Sequence, residues 1–249
     1  MTLKTLDNAL NLLTYFTVQQ PAWGVRALAK QSGVHPAIVH RVLATFAENG
    51  FLVQNEESGK YSLGLRVFEL GQVVRKTFSP SEAVQPILQR LAEQSGETVF
   101  LSWLDGEEGL CVGMVQSQHQ LRFSIELGQR FPLYAGAHAK AILAFQTTSF
   151  QEQSFAEGVA AGVSMPSWEA FQARLADVRA QGWAYTHGES AASVAGLAIP
   201  LMARDHQTVT GSITIAGPQD RLREESVTEL LTHLRDSAKR LEDVIGFVS

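Results

Sequence analysis

A single cysteine, Cys111, stands in a chain of 249 residues. That excludes an internal disulfide and any cysteine-built metal cage, and it is the usage of a reducing compartment, so a cytoplasmic protein is expected. No apolar run approaches the roughly 20 residues that a bilayer span requires. Met1-Thr2-Leu3-Lys4 does not open the basic-then-apolar pattern of a secretory leader. No membrane association is expected. Charged residues make up only 18% against 45% hydrophobic, which excludes an extended disordered chain. The length predicts one large or two modest domains. Catalytic signatures are missing too: there is no Gly-x-Ser-x-Gly, no Gly-x-Gly-x-x-Gly, no phosphate loop and no His-Glu-x-x-His. Gly162-Val-Ser-Met-Pro166 fails the nucleophile-elbow pattern, and nothing completes His187-Gly-Glu189 as a ligand set. His35 and His40 lie five apart and do not share a helix face for a metal. No enzyme activity, catalytic residue, metal or cofactor is expected.

What is present begins with a charge asymmetry. The chain carries 20 Lys/Arg and 25 Asp/Glu, a net charge of −5. Residues 1–76 hold eight basic and five acidic residues, so the head is net positive and the rest strongly acidic. Only the head is suited to meet a polyanion.

The head reads as a winged helix-turn-helix. Leu6, Ala9, Leu10 and Leu13 fall on one face of a helix with Thr5 as N-cap, and Pro21 closes the segment. A second helix spans Arg26 to Ser32. Gly33 permits the sharp turn after it, because glycine adopts positive φ without strain. A third helix starts at Pro36, whose missing N–H is harmless in the first turn. Val39, Val42, Leu43 and Phe46 form its buried stripe. The spacing Ala29…Gly33…Val39…Val42 suits a small residue on one helix receiving branched residues from the next. Phe51–Val53 and Tyr61–Leu63 then form a hairpin, the wing, around a polar turn.

The uncovered side of the third helix offers His35, Ala37, Ile38, His40, Arg41 and Thr45. Arg41 suits guanine or a phosphate, and Ala37 and Ile38 suit thymine methyls. Arg26, Lys30 and Lys60 are placed for phosphates, which set register rather than sequence. A winged helix that senses or binds protein, without touching DNA, is the alternative reading.

Leu65 to Phe78 predicts a connecting helix whose apolar stripe is a dimer-forming or domain-packing surface. Ser79-Pro-Ser-Glu82 has the form of a capping box, and Pro86 predicts a kink or a later helix start. The expected organisation is a DNA-binding domain over 1–64, a linker helix over 65–80 and a second domain over 81–249. That second domain reads as an antiparallel sheet flanked by helices, making the whole chain α+β. Strands are expected at Thr98–Leu104, Leu110–Gln116, Leu121–Ile125, Trp183–Thr186, Val194–Met202 and Val209–Ala216. Arg204–Gln207 is the turn between the last two. Helices are expected at Gly136–Phe145, Ser167–Gln181 and Glu224–Val248, and Cys111 is expected to be buried in its strand.

Several stretches, in this order, resemble the isocitrate lyase regulator (IclR) family of bacterial transcription factors over nearly the whole chain. They are Val25-Arg-Ala-Leu-Ala-Lys-Gln-Ser-Gly33, Val39-His-Arg-Val-Leu43, Tyr61-Ser-Leu-Gly64, Phe131-Pro-Leu-Tyr-Ala-Gly-Ala-His-Ala-Lys-Ala-Ile-Leu-Ala144, Ala198-Ile-Pro200, Ile215-Ala-Gly-Pro218 and Arg221-Leu222. The resemblance implies an N-terminal winged helix-turn-helix and a C-terminal effector-binding domain like GAF and PAS modules. It also implies dimers, often paired into tetramers, that control catabolic operons. This chain departs from the family pattern at Ala139, Gly196, Thr186, Ser193 and His35, where the family commonly has glycine, cysteine or serine, an acid, glycine, and serine or threonine.

Those departures bear on the effector. Tyr134, Ala135, Gly136, Ala137 and His138 lead into a small-residue helix whose N-terminal N–H groups attract an anion. The facing wall is expected from Thr186, Ser193, Val194, Gly196, Leu197 and the Gly211–Thr214 strand, which supplies Ser212 and Thr214. Trp103, Phe123 and Tyr134 are expected as an aromatic flank. Gly196 and Ala139 predict room for more than a two-carbon acid, so the expected effector is a small carboxylate, aromatic acids included. The expected partners are a palindromic double-stranded operator, that organic acid and a second copy of the chain.

Overall fold

The computed structural model describes residues 3–78, 81–203 and 208–245. The chain divides into two compact units, Met1–Phe78 and Ser79–Ser249. In the first, helices α1 (Lys4–Leu13), α2 (Val25–Ser32) and α3 (Pro36–Glu48) accompany strands β1 (Ala22–Trp23), β2 (Leu52–Gln54) and β3 (Tyr61–Leu63). Both strand pairings are antiparallel, in the order β1-β3-β2. β2 and β3 are the expected wing, with Leu52 opposite Leu63. β1 was not foreseen, since two residues give no periodicity to read. Gly33 closes α2 in the left-handed region at φ 70°, which fixes the turn into α3.

Leu12, Leu28, Ala29, Val39, Leu43, Leu52 and Tyr61 form the core of this unit. Thus α2 and α3 meet through Ala29 and Val39, as the spacing predicts. Two details of α1 differ. The helix begins before Thr5, with Leu3 at the N-cap and no capping side chain. Its inward residue is Leu12, whereas Leu6 and Leu10 are each 53% exposed. Of the apolar stripe read from the sequence, Leu13 packs against the core and Ala9 is half-buried, while Leu6 and Leu10 face outward from the unit. Helix α4 (Leu65–Phe78) follows β3 with the predicted bounds. Its Leu65, Phe68, Val73 and Val74 are also exposed.

The second unit is built on one six-stranded antiparallel sheet in the order β6-β5-β4-β9-β8-β7. Its strands are β4 (Thr98–Asp105), β5 (Glu108–Val115), β6 (Arg130–Pro132), β7 (Ala184–His187), β8 (Val194–Met202) and β9 (Val209–Pro218). The helices are α5 (Ser81–Ser95), α6 (Ala137–Leu143), α7 (Thr148–Ala160), α8 (Trp168–Gln181) and α9 (Val227–Ile245). Strand alternation sorts the sheet into two cores. Val99, Leu101, Leu197, Ile213 and Ile215 pack with Leu88 and Leu91 of α5 and Leu234 and Leu241 of α9. Phe100, Cys111, Ala198 and Ala216 pack on the other face with α6 and with Phe171 and Leu175 of α8. Ser167 caps α8 through Ala170 N–H, and Gly182 ends it in the left-handed region, as expected.

Several expectations need correction. Leu121–Ile125 is not a strand; the third neighbour in that part of the sheet is β6. The Phe123 carbonyl instead accepts from the Thr98 hydroxyl at 2.7 Å, so the segment is tied by a side chain rather than a ladder. Helix α5 runs through Pro86, which excludes the later helix start. Trp183 lies just outside β7, and a short 3-10 turn at Glu224–Ser226 precedes α9. Helix α7 had not been anticipated. The start of the proposed capping box (79–80), the turn over 204–207 and the helix end over 246–248 lie outside the described residues.

Candidate functional site

Helix α3 of the first unit presents a polar, uncrowded side. Ala37, Arg41 and Thr45 fall at i, i+4 and i+8, with Ile38 and His40 beside them, opposite the buried Val39 and Leu43. His35 supplies the N-cap: its Nδ1 accepts from Ala37 N–H at 3.3 Å. The imidazole thus does the work of the hydroxyl that the resemblance leads one to expect there. His35, Ala37, Ile38, His40, Arg41 and Thr45 are all exposed, as are Arg26 and Lys30 on α2 and Lys60 in the wing. Among the described residues, Arg26, Lys30, Arg41 and Lys60 have no carboxylate within ion-pair distance. These cations are available to an external anion.

The second unit holds a small, partly open cavity between α6 and the sheet. It is lined by Phe123, Ala137, His138, Thr186, Ser190, Val194, Ala195, Gly196, Thr214 and Ala216. Its free space is about 10 Å³, room for about one water. His138 sits in an aromatic corner, 4.3 Å from the Phe131 ring centroid and 5.5 Å from that of Phe100, edge-on to both. Burial lowers its pKa from 6.5 to about 4, so the ring is neutral at pH 7. The Thr214 hydroxyl is buried and has no hydrogen-bond partner among the described residues, an unmet polar group that normally costs about 1–3 kcal/mol. The Ser212 hydroxyl donates to the His138 carbonyl at 3.1 Å and pins α6 to β9. Phe123 stacks on Phe100 at 5.8 Å.

The structure brings Phe123, Ala137, His138, Thr186, Val194, Gly196 and Thr214 together at this cavity. It places other candidates elsewhere. Trp103 and Leu197 point to the opposite face of the sheet, against the α5/α9 core. They alternate with inward neighbours on their strands, and the sequence alone does not say which parity faces which helices. Tyr134 lies beside Gly158 of α7, and Ser193 offers its carbonyl to Gln219 N–H at 2.9 Å. Ala135, Gly136, Ser193 and Ser212 border the site without lining the cavity. Ala139 is packed in the α6/α8 core and adds no room. At Gly196 a Cβ would stand 3.3 Å from the Ala137 Cβ, so the missing side chain serves close packing. The space expected for a larger acid is not open.

The seat expected for an anion at the start of α6 is also filled from within. Gly136 N–H donates to Glu189 Oε2 at 3.1 Å, and Lys140 Nζ pairs with Oε1 of the same carboxylate. Neither Glu189 nor Lys140 was singled out for the site from the sequence, because a contact across 49 positions leaves no spacing signal. Ser190, Ala195 and Ala216 were missed for the same reason. Among the described residues no cluster of His, Cys, Asp or Glu is arranged to hold a metal ion, and no helix is long and apolar enough to cross a membrane.

Comparison with known proteins agrees with this architecture. The family profile "IclR helix-turn-helix domain" matches residues 5–56, and "Bacterial transcriptional regulator IclR C-terminal" matches residues 76–243. The HTH-type transcriptional regulator KipR of Bacillus subtilis (strain 168) is 28% identical over 248 residues, covering 98% of each chain. The crystal structure of an IclR transcriptional regulator from Silicibacter sp. TM1040 superimposes with a TM-score of 0.86 at 28% identity, covering 97% of this chain and 96% of that one. An IclR homolog from Microbacterium hydrocarbonoxydans, solved in complex with 4-hydroxybenzoate, shares the fold with a TM-score of 0.78 at 19% identity, covering 97% and 98%. With both of its units matched, a winged helix-turn-helix and a helix-flanked antiparallel sheet, this chain belongs to the IclR family of bacterial transcriptional regulators.

Proposed function

We propose that the chain is a sequence-specific DNA-binding regulator of a catabolic operon, with α3 reading bases and the second unit sensing a small organic acid. The observation that carries this is the outer side of α3. Arg41 is exposed with no carboxylate within ion-pair distance among the described residues, and Arg26, Lys30 and Lys60 are exposed cations on α2 and in the wing. Dimers would set two α3 helices about 34 Å apart, or a multiple of it, on a palindromic operator. The outward leucines of α1 and the exposed apolar residues of α4 support such self-association. Enrichment from a random duplex library tests the reading: it expects a palindromic site whose affinity falls steeply with salt. Recovery of no sequence preference, or affinity indifferent to salt, overturns it.

The effector reading rests on the α6 cavity. Its unpaired Thr214 hydroxyl, neutral His138 and aromatic Phe123 suit a compact carboxylate with an apolar body. The 4-hydroxybenzoate held by the Microbacterium relative is of that class. With room for about one water, the walls must part on binding, and that movement is the origin of the regulatory signal. Calorimetry with acetate, pyruvate, benzoate and 4-hydroxybenzoate tests this. Absence of binding by every acid at millimolar concentration defeats it.

A further inference from the structure

Lys140 lies within α6 and its side chain is 6% exposed. Burial depresses its pKa below the ordinary lysine value, and the charge of Glu189 opposes that shift. Glu189 divides its carboxylate between two donors: Oε1 meets Lys140 Nζ, and Oε2 takes Gly136 N–H at 3.1 Å. Arg174 Nη1 stands further off, 3.8 Å from Oε1. A carboxylate held by one buried ammonium and one main-chain N–H is the geometry with which proteins hold the carboxylate of a ligand. Here the group belongs to the chain itself.

Gly136, Lys140 and Glu189 do not themselves line the cavity, but each is next to or one turn from a residue that does. Glu189 sits on the connection between β7 and β8, and the next residue, Ser190, lines the cavity. Gly136 has φ 93°, and a Cβ there would run into the Ser190 hydroxyl. The connection therefore closes one side of the cavity, and the Glu189 contacts hold it against the start of α6. Thr214, also in the lining and 1% exposed, offers a hydroxyl with no partner among the described residues.

We propose that Glu189 is an internal stand-in for the effector carboxylate: an acid ligand binds by taking Gly136 N–H and Lys140 Nζ from it, releasing the 188–193 connection from the cavity. This rests on the reading of the cavity as a carboxylate site. Two carboxylates cannot share one ammonium and one N–H without like-charge repulsion, so entry is an exchange. Through the exchange Lys140 stays paired, and no unpaired charge is left buried. Because Glu189 is tethered, it competes at a high effective concentration, and the free acid must outbid it.

The test measures binding of acetate and 4-hydroxybenzoate by calorimetry to the full chain and to Glu189→Ala and Glu189→Gln. Thermal unfolding of each is followed in sodium acetate and in sodium chloride of equal ionic strength. Removal of the competitor is expected to tighten binding of the acid at least tenfold. Glu189→Ala is expected to unfold several degrees lower in chloride and to recover in acetate, which refills the seat. Glu189→Gln, of the same shape, gives the affinity readout should the alanine variant not fold. A purely structural ion pair predicts lower stability, equal or weaker acid binding and no recovery in acetate. That result overturns the exchange while leaving the cavity reading intact, provided the unaltered chain binds the acid. Failure of both acids to bind the unaltered chain and both variants removes the cavity reading, and the exchange with it.

Discussion

The imidazole of His138 stands edge-on to the Phe131 ring, centroids 4.3 Å apart and planes at 89°. This contact suits the neutral ring, and burial disfavours the imidazolium. With a folded pKa of about 4 against an ordinary 6.5, the unfolded chain takes up the proton first. Stability from this residue is intact above pH 6.5 and is lost as pH falls toward 4, amounting to about 3 kcal/mol at the acid end. Melting temperatures of the wild type and His138→Phe from pH 7.5 to 4.5 check it. The variant is expected to show the shallower acid decline.

Arg41→Ala is expected to abolish specific operator binding at physiological salt and to leave acid binding unchanged. Loss of a bidentate base contact costs about 1–3 kcal/mol in discrimination. Lys60→Ala, in the wing, is expected to weaken all DNA sequences alike and to reduce the salt dependence by about one phosphate. Gel-shift titrations at two salt concentrations separate the two. Retained specific binding by Arg41→Ala excludes it from the reading face.

Gly196→Leu is expected to fill the cavity. An added Cβ already stands 3.3 Å from the Ala137 Cβ, and the further carbons exceed the roughly 10 Å³ of free space, so the wall must shift. Overpacking of this kind costs about 1–3 kcal/mol. Calorimetry is expected to show loss of acid binding while the gel shift persists; unchanged acid affinity removes Gly196 from the site.

Cys111 is buried, and burial raises its pKa to about 11. At pH 8 its thiolate is scarce and shielded. Alkylation by iodoacetamide is expected to be negligible in the folded protein and complete in denaturant, as read by mass spectrometry.

Helices α2 and α3 were legible because their signals are clean: Val39, Val42, Leu43 and Phe46 mark one side of α3, and Gly33 and Pro36 punctuate the turn. Helix α7 was not, because the residues it buries are Gln151, Ser154 and Gly158, which no apolar pattern marks. Gln151 instead donates to the carbonyls of Leu143 and Gln146. Leu121–Ile125 misled for the opposite reason, having strand composition without a strand partner. At the cavity, the small residues around α6 signalled a site, but the faces of Trp103 and Leu197 depend on which helices cover which side of the sheet. The Lys140–Glu189 pair is a product of tertiary folding alone.

β9 carries Thr214 toward α6 and, on either side of it in sequence, Ile213 and Ile215 toward α5 and α9. One main chain therefore serves as a lever between two rooms. Whatever nudges that threonine drags two isoleucines along the rear wall, where α5 rests as the next helix after α4 in the chain. An acid that displaces Thr214 is therefore expected to shift both isoleucines against α5 and α9, alongside any movement of the 188–193 connection.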